Sequence, residues 1–367
     1  MNRPKLYILA TMGLLFSTYF VACKKDPVFQ NYQTTPYELE VPKFFLPFLP
    51  VQENELTQEG VALGRFLFYD PILSEDGSQS CASCHNQQFA FTDNEFATSV
   101  GIKGIAGNRN SMPLFNLNWH DKGFFWDGRS PTLRDQILEP IEDPIEMAST
   151  VTGALERING KPFYRDLFYK AFGSRTATSD NLAKAIEQFM LTFVSSNSRF
   201  DKGRRGELAL TQDELDGLTF TQAENDPSVG ARGGDCFHCH GTSGELFSDN
   251  DYKNNGLDET LTDLGRFSVT GLEKDKGKFK TPSLRNLSFT APFMHDGRFK
   301  TIEEVLDHYG EHVVQTSPNI DPNMNKARSV GQIKFTPEEK RIMLAFLKSL
   351  DDYELISNPA FSDPFTN

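Results

Sequence analysis

Two pentapeptides could carry redox chemistry in this chain: Cys81-Ala82-Ser83-Cys84-His85 and Cys236-Phe237-His238-Cys239-His240. Two thiols separated by two residues and followed at once by an imidazole form the attachment pattern of a c-type haem. The thiols add to the porphyrin vinyl groups and the histidine is set to ligate the iron. A zinc site built from two C-x-x-C pairs is the competing reading, although zinc needs no histidine directly after each pair. If iron sits on His85 and His240, each iron has a second face to be filled. The stretch from Asn86 to Asn110 holds no histidine, methionine or tyrosine.

The elements that must position these groups repeat along the chain. "FAFTDN" after His85 corresponds to "ELFSDN" after His240, and "WDGRSPTLRDQILEP" (126–140) matches "HDGRFKTIEEVLDHY" (295–309) without a gap. In the second copy Thr301 and Glu304 make a capping box and Gly310 marks a stop, which predicts a short helix over 302–309. Ile302, Val305, Leu306 and Tyr309 share one face, so Tyr309 should point inward while His308 lies on the side of Glu304. The same positions in the first copy are Leu133, Gln136, Ile137 and Pro140. The second haem is therefore offered Tyr309, and the first Gln136 and Pro140. Proline cannot bind iron and glutamine is a poor ligand, so the first haem should be five-coordinate with an open distal face.

Other segments read as scaffold. "SDNLAKAIEQFMLTFVS" is an amphipathic helix with Leu182, Ile186, Phe189, Met190 and Phe193 as its core stripe. "TPEEKRIMLAFLKSL" starts on Thr336 as N-cap, with Pro337 at N1 and Glu339 completing a capping box. Strand signals are almost absent, so the expected class is mainly α, with two related c-type cytochrome domains packed around two haems. A length of 367 residues suits one large or two medium cores. Thirty-two phenylalanines against ten tyrosines suit core packing and the lining of flat cofactors.

The net charge of −13 excludes nucleic acid as a partner, since phosphate would be repelled, and favours a basic electron-carrier protein steered to an acidic surface. The N-terminus reads as an export signal: Asn2, Arg3 and Lys5, an apolar run from Leu6 to Ala22, then Cys23. "FVAC" resembles a lipoprotein cleavage box that leaves Cys23 lipidated, with an uncleaved membrane helix as the alternative. Membrane contact is then expected only through the lipid anchor. Residues 24–43 form a tether. With Cys23 set apart, the other four cysteines all belong to the two motifs and none remains for a disulfide.

From about Leu56 to Leu350 the chain resembles the bacterial di-haem cytochrome c peroxidase family, including its MauG-like branch. The stretches that carry the likeness are "LGRFLFYDPILS", "CASCH", "RNSMPLFN", "FFWDGR", "PIEM", "CFHCH", "TPSLRN" and "APFMHDGRFKTIEEVL". The resemblance implies His85 and His240 as proximal ligands and Trp126 as a relay between the haems. It implies Gln136 and Glu146 over the peroxide-binding haem, and a calcium site of Asn110 with the backbone carbonyls of Thr290 and Pro292. Family members that need reductive activation carry a histidine in the loop that here reads "SVGIKGIAG". They place methionine on the second haem where this chain has Tyr309, and the MauG-like branch uses tyrosine. Met294 aligns with Phe125 and reads as packing, with a ligand role as the alternative. His295 is expected as a hydrogen-bonding neighbour, and His120, His308 and His312 as solvated or structural histidines.

The N-terminal reading and the resemblance together divide the chain into a signal peptide (1–23), the tether (24–43), a peroxidatic haem domain (44–205), an electron-transfer haem domain (206–352) and a tail (353–367). The leader implies a periplasm-facing membrane lipoprotein of a Gram-negative-type bacterium, and the resemblance implies two covalent haem c groups and calcium, with a homodimer as the candidate assembly. The leading function is reduction of hydrogen peroxide to water, with electrons from a small periplasmic cytochrome or copper protein. Glu146 would move the proton, its pKa raised by burial, and Gln136 would orient peroxide. The rivals are a MauG-like oxidase acting on a protein side chain and a non-catalytic di-haem electron-transfer cytochrome.

Overall fold

The computed structural model describes residues 32–49, 51, 53–94, 96–242, 245–325 and 332–366. The expected leader, the lipidated Cys23 and the first part of the tether lie outside the described residues. No helix among the described residues is long and apolar enough to cross a membrane.

The chain from Gln33 onward is mainly helical, with one two-stranded antiparallel ladder among the described residues, Tyr252–Lys253 against Phe279–Lys280. The internal repeat reappears as two similarly built halves. In the first, the helix Gln58–Tyr69 packs on Ser179–Leu191; in the second, Gln212–Thr221 packs on Pro337–Ser349. Each crossing passes over a glycine. A Cβ on Gly64 would lie 1.9 Å from the Ala185 carbonyl oxygen, and one on Gly217 would lie 2.0 Å from that of Ile342. Only a residue without a side chain lets the two backbones approach so closely.

Each half has its own apolar core. Leu63, Leu67, Phe68, Ile186, Phe189 and Phe193 anchor the first, and Phe200, Phe247, Ile302, Leu306, Met343 and Phe346 the second. The predicted stripe of Ser179–Leu191 is buried as expected, Met190 included, and Thr336 caps Pro337–Ser349 with Glu339 completing the box. Many of the phenylalanines are spent on ring-to-ring packing, such as Phe91 stacked on Phe193 at 3.9 Å between centroids.

Three expectations need correction. The helix after the second D-G-R is α-helical only over Ile302–Asp307, and His308–His312 winds as a π-helix instead of stopping at Gly310. Gly310 serves close packing: a Cβ there would be 3.0 Å from the Phe335 ring. The segment 353–367 is no free tail. Tyr353–Ser357 is helical, Leu355 and Phe361 are buried in the first core, and Gln87 Nε2 donates to the carbonyls of Leu355 and Asn358. The end of the tether is held too, since Tyr37 N–H donates to Leu56 O and Gln58 N–H to Thr35 O.

Candidate functional site

Each C-x-x-C-H motif opens on its own cavity. Cys81, Cys84 and His85 border the first, of about 940 Å³; Cys236, Cys239 and His240 border the second, of about 220 Å³. The residue that fixes each histidine repeats as well. His85 Nδ1 lies 2.8 Å from Phe91 O and His240 Nδ1 lies 3.1 Å from Phe247 O. A carbonyl oxygen only accepts, so Nδ1 carries the proton and Nε2 is left with its lone pair for a metal. Both phenylalanines hold left-handed backbone, φ 62° and 52°, which aims their carbonyls at the rings. Burial lowers the pKa of both imidazoles and keeps them neutral, as ligation requires. Thiol pairs, imidazole and apolar cavity thus fit a covalently held haem in each half.

The helices after the D-G-R turns supply the opposing walls. Thr132 caps Leu133–Glu142, and Leu133, Gln136, Ile137 and Pro140 all face the first cavity. Ile302, Val305, Leu306 and Tyr309 face the second, as the repeat predicted. Tyr309 and Met294 both lie on the second cavity wall. Asn255 Nδ2 donates to the Tyr309 hydroxyl at 3.2 Å and to Met294 Sδ at 3.3 Å. Burial pushes the Tyr309 phenol up to about 12, so it stays protonated unless a cation takes its oxygen.

Glu146 lies on the first cavity wall with Gln136. Burial, with smaller help from the Asp143 and Glu139 charges and against that of Arg129, pushes its carboxyl up to about 7. That poises it to accept and return a proton near neutrality. The segment holding it is braced by the "SVGIKGIAG" loop. Ile102 N–H donates to Glu146 O at 3.0 Å, Val100 and Ala106 form an antiparallel bridge, and a Cβ on Gly101 would lie 1.9 Å from Ile145 O. Lys103 at the loop tip is exposed.

Trp126 is buried in the wall that the two cavities share with Asn110, Ser111, Pro113 and Lys280. Its Nε1 donates to Asn110 O at 2.8 Å, and its carbonyl accepts from Lys280 N–H at 2.7 Å. Asn110 Nδ2 donates to Ala97 O, which leaves the side-chain oxygen for a hard cation, and Asn110, Thr290 and Pro292 border the second cavity together. His295 stacks on Phe279 at 3.7 Å, and its carbonyl accepts from Asn110 N–H.

Spacing alone missed four residues. His120 borders the first cavity, and burial, with the nearby Lys280 charge adding, pushes it down to about 3, so it is neutral there. Lys280 is itself buried and pushed down to about 8. His308 is buried with Nε2 3.1 Å from Asn255 O, so among the three spare histidines only His312 is solvated. Asn255 had no motif around it. Only the "TPSLRN" match, which begins one residue after it, pointed near Lys280, and no signal marked His120.

Comparison with known proteins agrees with this geometry. Residues 58–209 match the family described as di-haem cytochrome c peroxidase. The cytochrome c551 peroxidase of Nitrosomonas europaea is 36% identical over 293 residues, covering 78% of each chain. The methylamine utilization protein MauG of Methylorubrum extorquens is 36% identical over 304 residues, covering 81% of this chain and 79% of that protein. A solved MauG-like protein associated with microbial copper homeostasis superposes with a TM-score of 0.79 at 33% identity, covering 90% of this chain and 99% of that one.

Proposed function

The chain belongs to the di-haem cytochrome c peroxidase family, an oxidoreductase family with two haem c groups, and from that premise we propose that it reduces hydrogen peroxide to water with electrons from a small periplasmic redox protein. The observation that carries the reading is Glu146, held near neutrality beside Gln136 over a cavity whose bracing loop offers no imidazole. Cys81, Cys84 and His85 would hold the first haem, which would supply iron and electrons for O–O cleavage.

Glu146 takes a proton from one peroxide oxygen and delivers it to the other, which leaves as water. Gln136 donates its amide N–H to hold peroxide in line, and Phe91 O keeps His85 in the ligating tautomer. Two electrons and two protons per peroxide give two waters. Trp126, in the wall common to both cavities, is the side chain through which charge crosses between the halves. Tyr309 would hold the second haem from the cavity wall opposite the Cys236-Cys239-His240 motif, with Met294 as the alternative. Asn110 and the carbonyls of Thr290 and Pro292 would hold a calcium ion, which would supply a cross-link between the halves at the Trp126 wall. Export, with a lipid anchor at Cys23, rests on the sequence.

A second reading is oxidation of a protein side chain, favoured by the equal likeness to a MauG protein and by Tyr309. Steady-state peroxide turnover with a reduced small cytochrome as donor tests the first reading. Turnover should be sustained, and Glu146→Gln should lower it by about 10²–10⁴. Donor oxidation that stays at the rate of peroxide alone, with and without enzyme, would leave the side-chain reading standing in its place.

A further inference from the structure

Among the described residues, one cluster at the rim of the second cavity, which Asp235 also borders, combines carboxylates with an imidazole. Glu224, Asp235 and His238 each bring one ligand atom within 4.8 Å of the others. His238 Nε2 lies 3.2 Å from Glu224 Oε2 and 3.3 Å from Asp235 Oδ1. One imidazole nitrogen carries at most one hydrogen, so it cannot give a full hydrogen bond to both oxygens. The same separations match the edge, roughly 3.3 Å, of a tetrahedron with bonds of about 2.0–2.1 Å.

The backbone holds the three residues in place. Asp235 N–H donates to Ala223 O at 3.0 Å, Gly234 N–H to Phe220 O at 2.7 Å and Cys236 N–H to Thr221 O at 3.2 Å. These bonds fasten the segment bearing Glu224 to the one bearing Asp235. The approach requires glycine at 233, where a Cβ would fall 2.1 Å from Ala223 O. Asp235 adopts left-handed backbone, φ 61°, and His238 rides on the short helix Phe237–His240. The side chains are 9%, 21% and 43% exposed for Asp235, His238 and Glu224. The cluster is closed toward the protein and open toward water, a geometry that leaves one position for solvent.

We propose that Glu224, Asp235 and His238 form a surface site for a divalent first-row transition-metal cation, separate from both haem irons. The imidazole favours zinc, copper or nickel over calcium and magnesium, which prefer all-oxygen cages. Because His238 lies between Cys236 and Cys239, the bound ion sets positive charge on the segment that carries the second haem and clamps it to the turn after Gln212–Thr221.

The test is equilibrium dialysis of tag-free, haem-loaded protein against Zn²⁺, a redox-silent probe, with zinc counted against iron. Wild type should bind one zinc per two irons at micromolar free metal, and excess Ca²⁺ should not displace it. His238→Ala and Glu224→Gln should each weaken binding by about tenfold or more. Glu224→Gln, at the exposed end of the cluster, keeps the result readable if His238→Ala disturbs haem attachment. No zinc at micromolar concentration, wild-type binding by Glu224→Gln, or displacement by calcium would overturn the proposal.

Discussion

The Tyr309 hydroxyl and the Met294 sulfur share one donor, Asn255 Nδ2, at 3.2 and 3.3 Å. Both candidate ligands of the second haem thus stand on the same side of the second cavity, one on the turn that opens the π-helix and the other on the D-G-R lead-in. The lead-in repeats: Phe125 and Met294 both hold left-handed backbone, φ 64° and 73°. Its counterpart in the first half is a phenylalanine that packs under Arg129 at 3.4 Å, which favours packing for Met294 and ligation for Tyr309. An anionic oxygen donor also stabilises ferric over ferrous iron. Tyr309→Phe should therefore remove the low-spin ferric signal of one haem and raise that haem's potential, while Met294→Leu should leave both. Loss of the signal in Met294→Leu alone would reverse the assignment.

Helix crossings at glycine predict a stability effect that is local to each half. Gly64→Ala forces a methyl group into the Ala185 carbonyl, and Gly217→Ala forces one into that of Ile342. Overpacking of this kind costs about 1–3 kcal/mol. Thermal unfolding of the haem-loaded variants should show lower midpoints for both, with the first-half absorption bands changing in Gly64→Ala and the second-half bands in Gly217→Ala. Unchanged midpoints would mean that the helices slide apart at no cost.

Much of this arrangement could be read from the residues, because it is local. Thr301 with Glu304 and Thr336 with Glu339 are capping boxes that neighbours three residues apart decide, and both form. The inward faces of 133–140 and 302–309 follow from helical spacing and line the two cavities. The misses are long-range. Leu355 and Phe361 cross back to the first core, while His120 reaches a cavity wall from a loop and Lys280 from a two-residue strand, neither with any periodicity to read. Gly310 looked like a stop because glycine often ends helices, whereas here it makes room for Phe335.

The acid at the first cavity gives a pH dependence with a definite sign. Glu146 is active as a base when ionised, so turnover should rise as pH increases through about 7 and level off above. Glu146→Gln should lose that limb together with the rate. Stability runs the other way. The folded carboxyl holds its proton more tightly than an exposed one, so stability should fall as pH rises from about 4.5 toward 7. Glu146→Gln should flatten that decline in chemical unfolding. A rate limb kept by the variant would place the proton on another group.

The calcium proposal has its own readout. Removing calcium from the loaded enzyme with a chelator should loosen the Asn110 contact that receives the Trp126 indole, and should lower turnover with restoration on adding Ca²⁺. Asn110→Ala should reduce the calcium response without removing either haem. A wild-type enzyme indifferent to chelation at matched ionic strength would dismiss the ion.

The most direct test of the account is the reaction of the fully ferric enzyme with peroxide, followed by rapid-mixing spectroscopy with no reductant added beforehand. The bracing loop from Val100 to Ala106 carries only Lys103 as a side chain long enough to reach iron, and that lysine is exposed at the tip, where protonation and water are preferred. The resting protein should show one high-spin and one low-spin haem, and the high-spin signal should change as soon as peroxide is mixed in. Two low-spin irons at rest, and no reaction until one electron is supplied, would contradict the open distal face on which Glu146 and Gln136 are proposed to act.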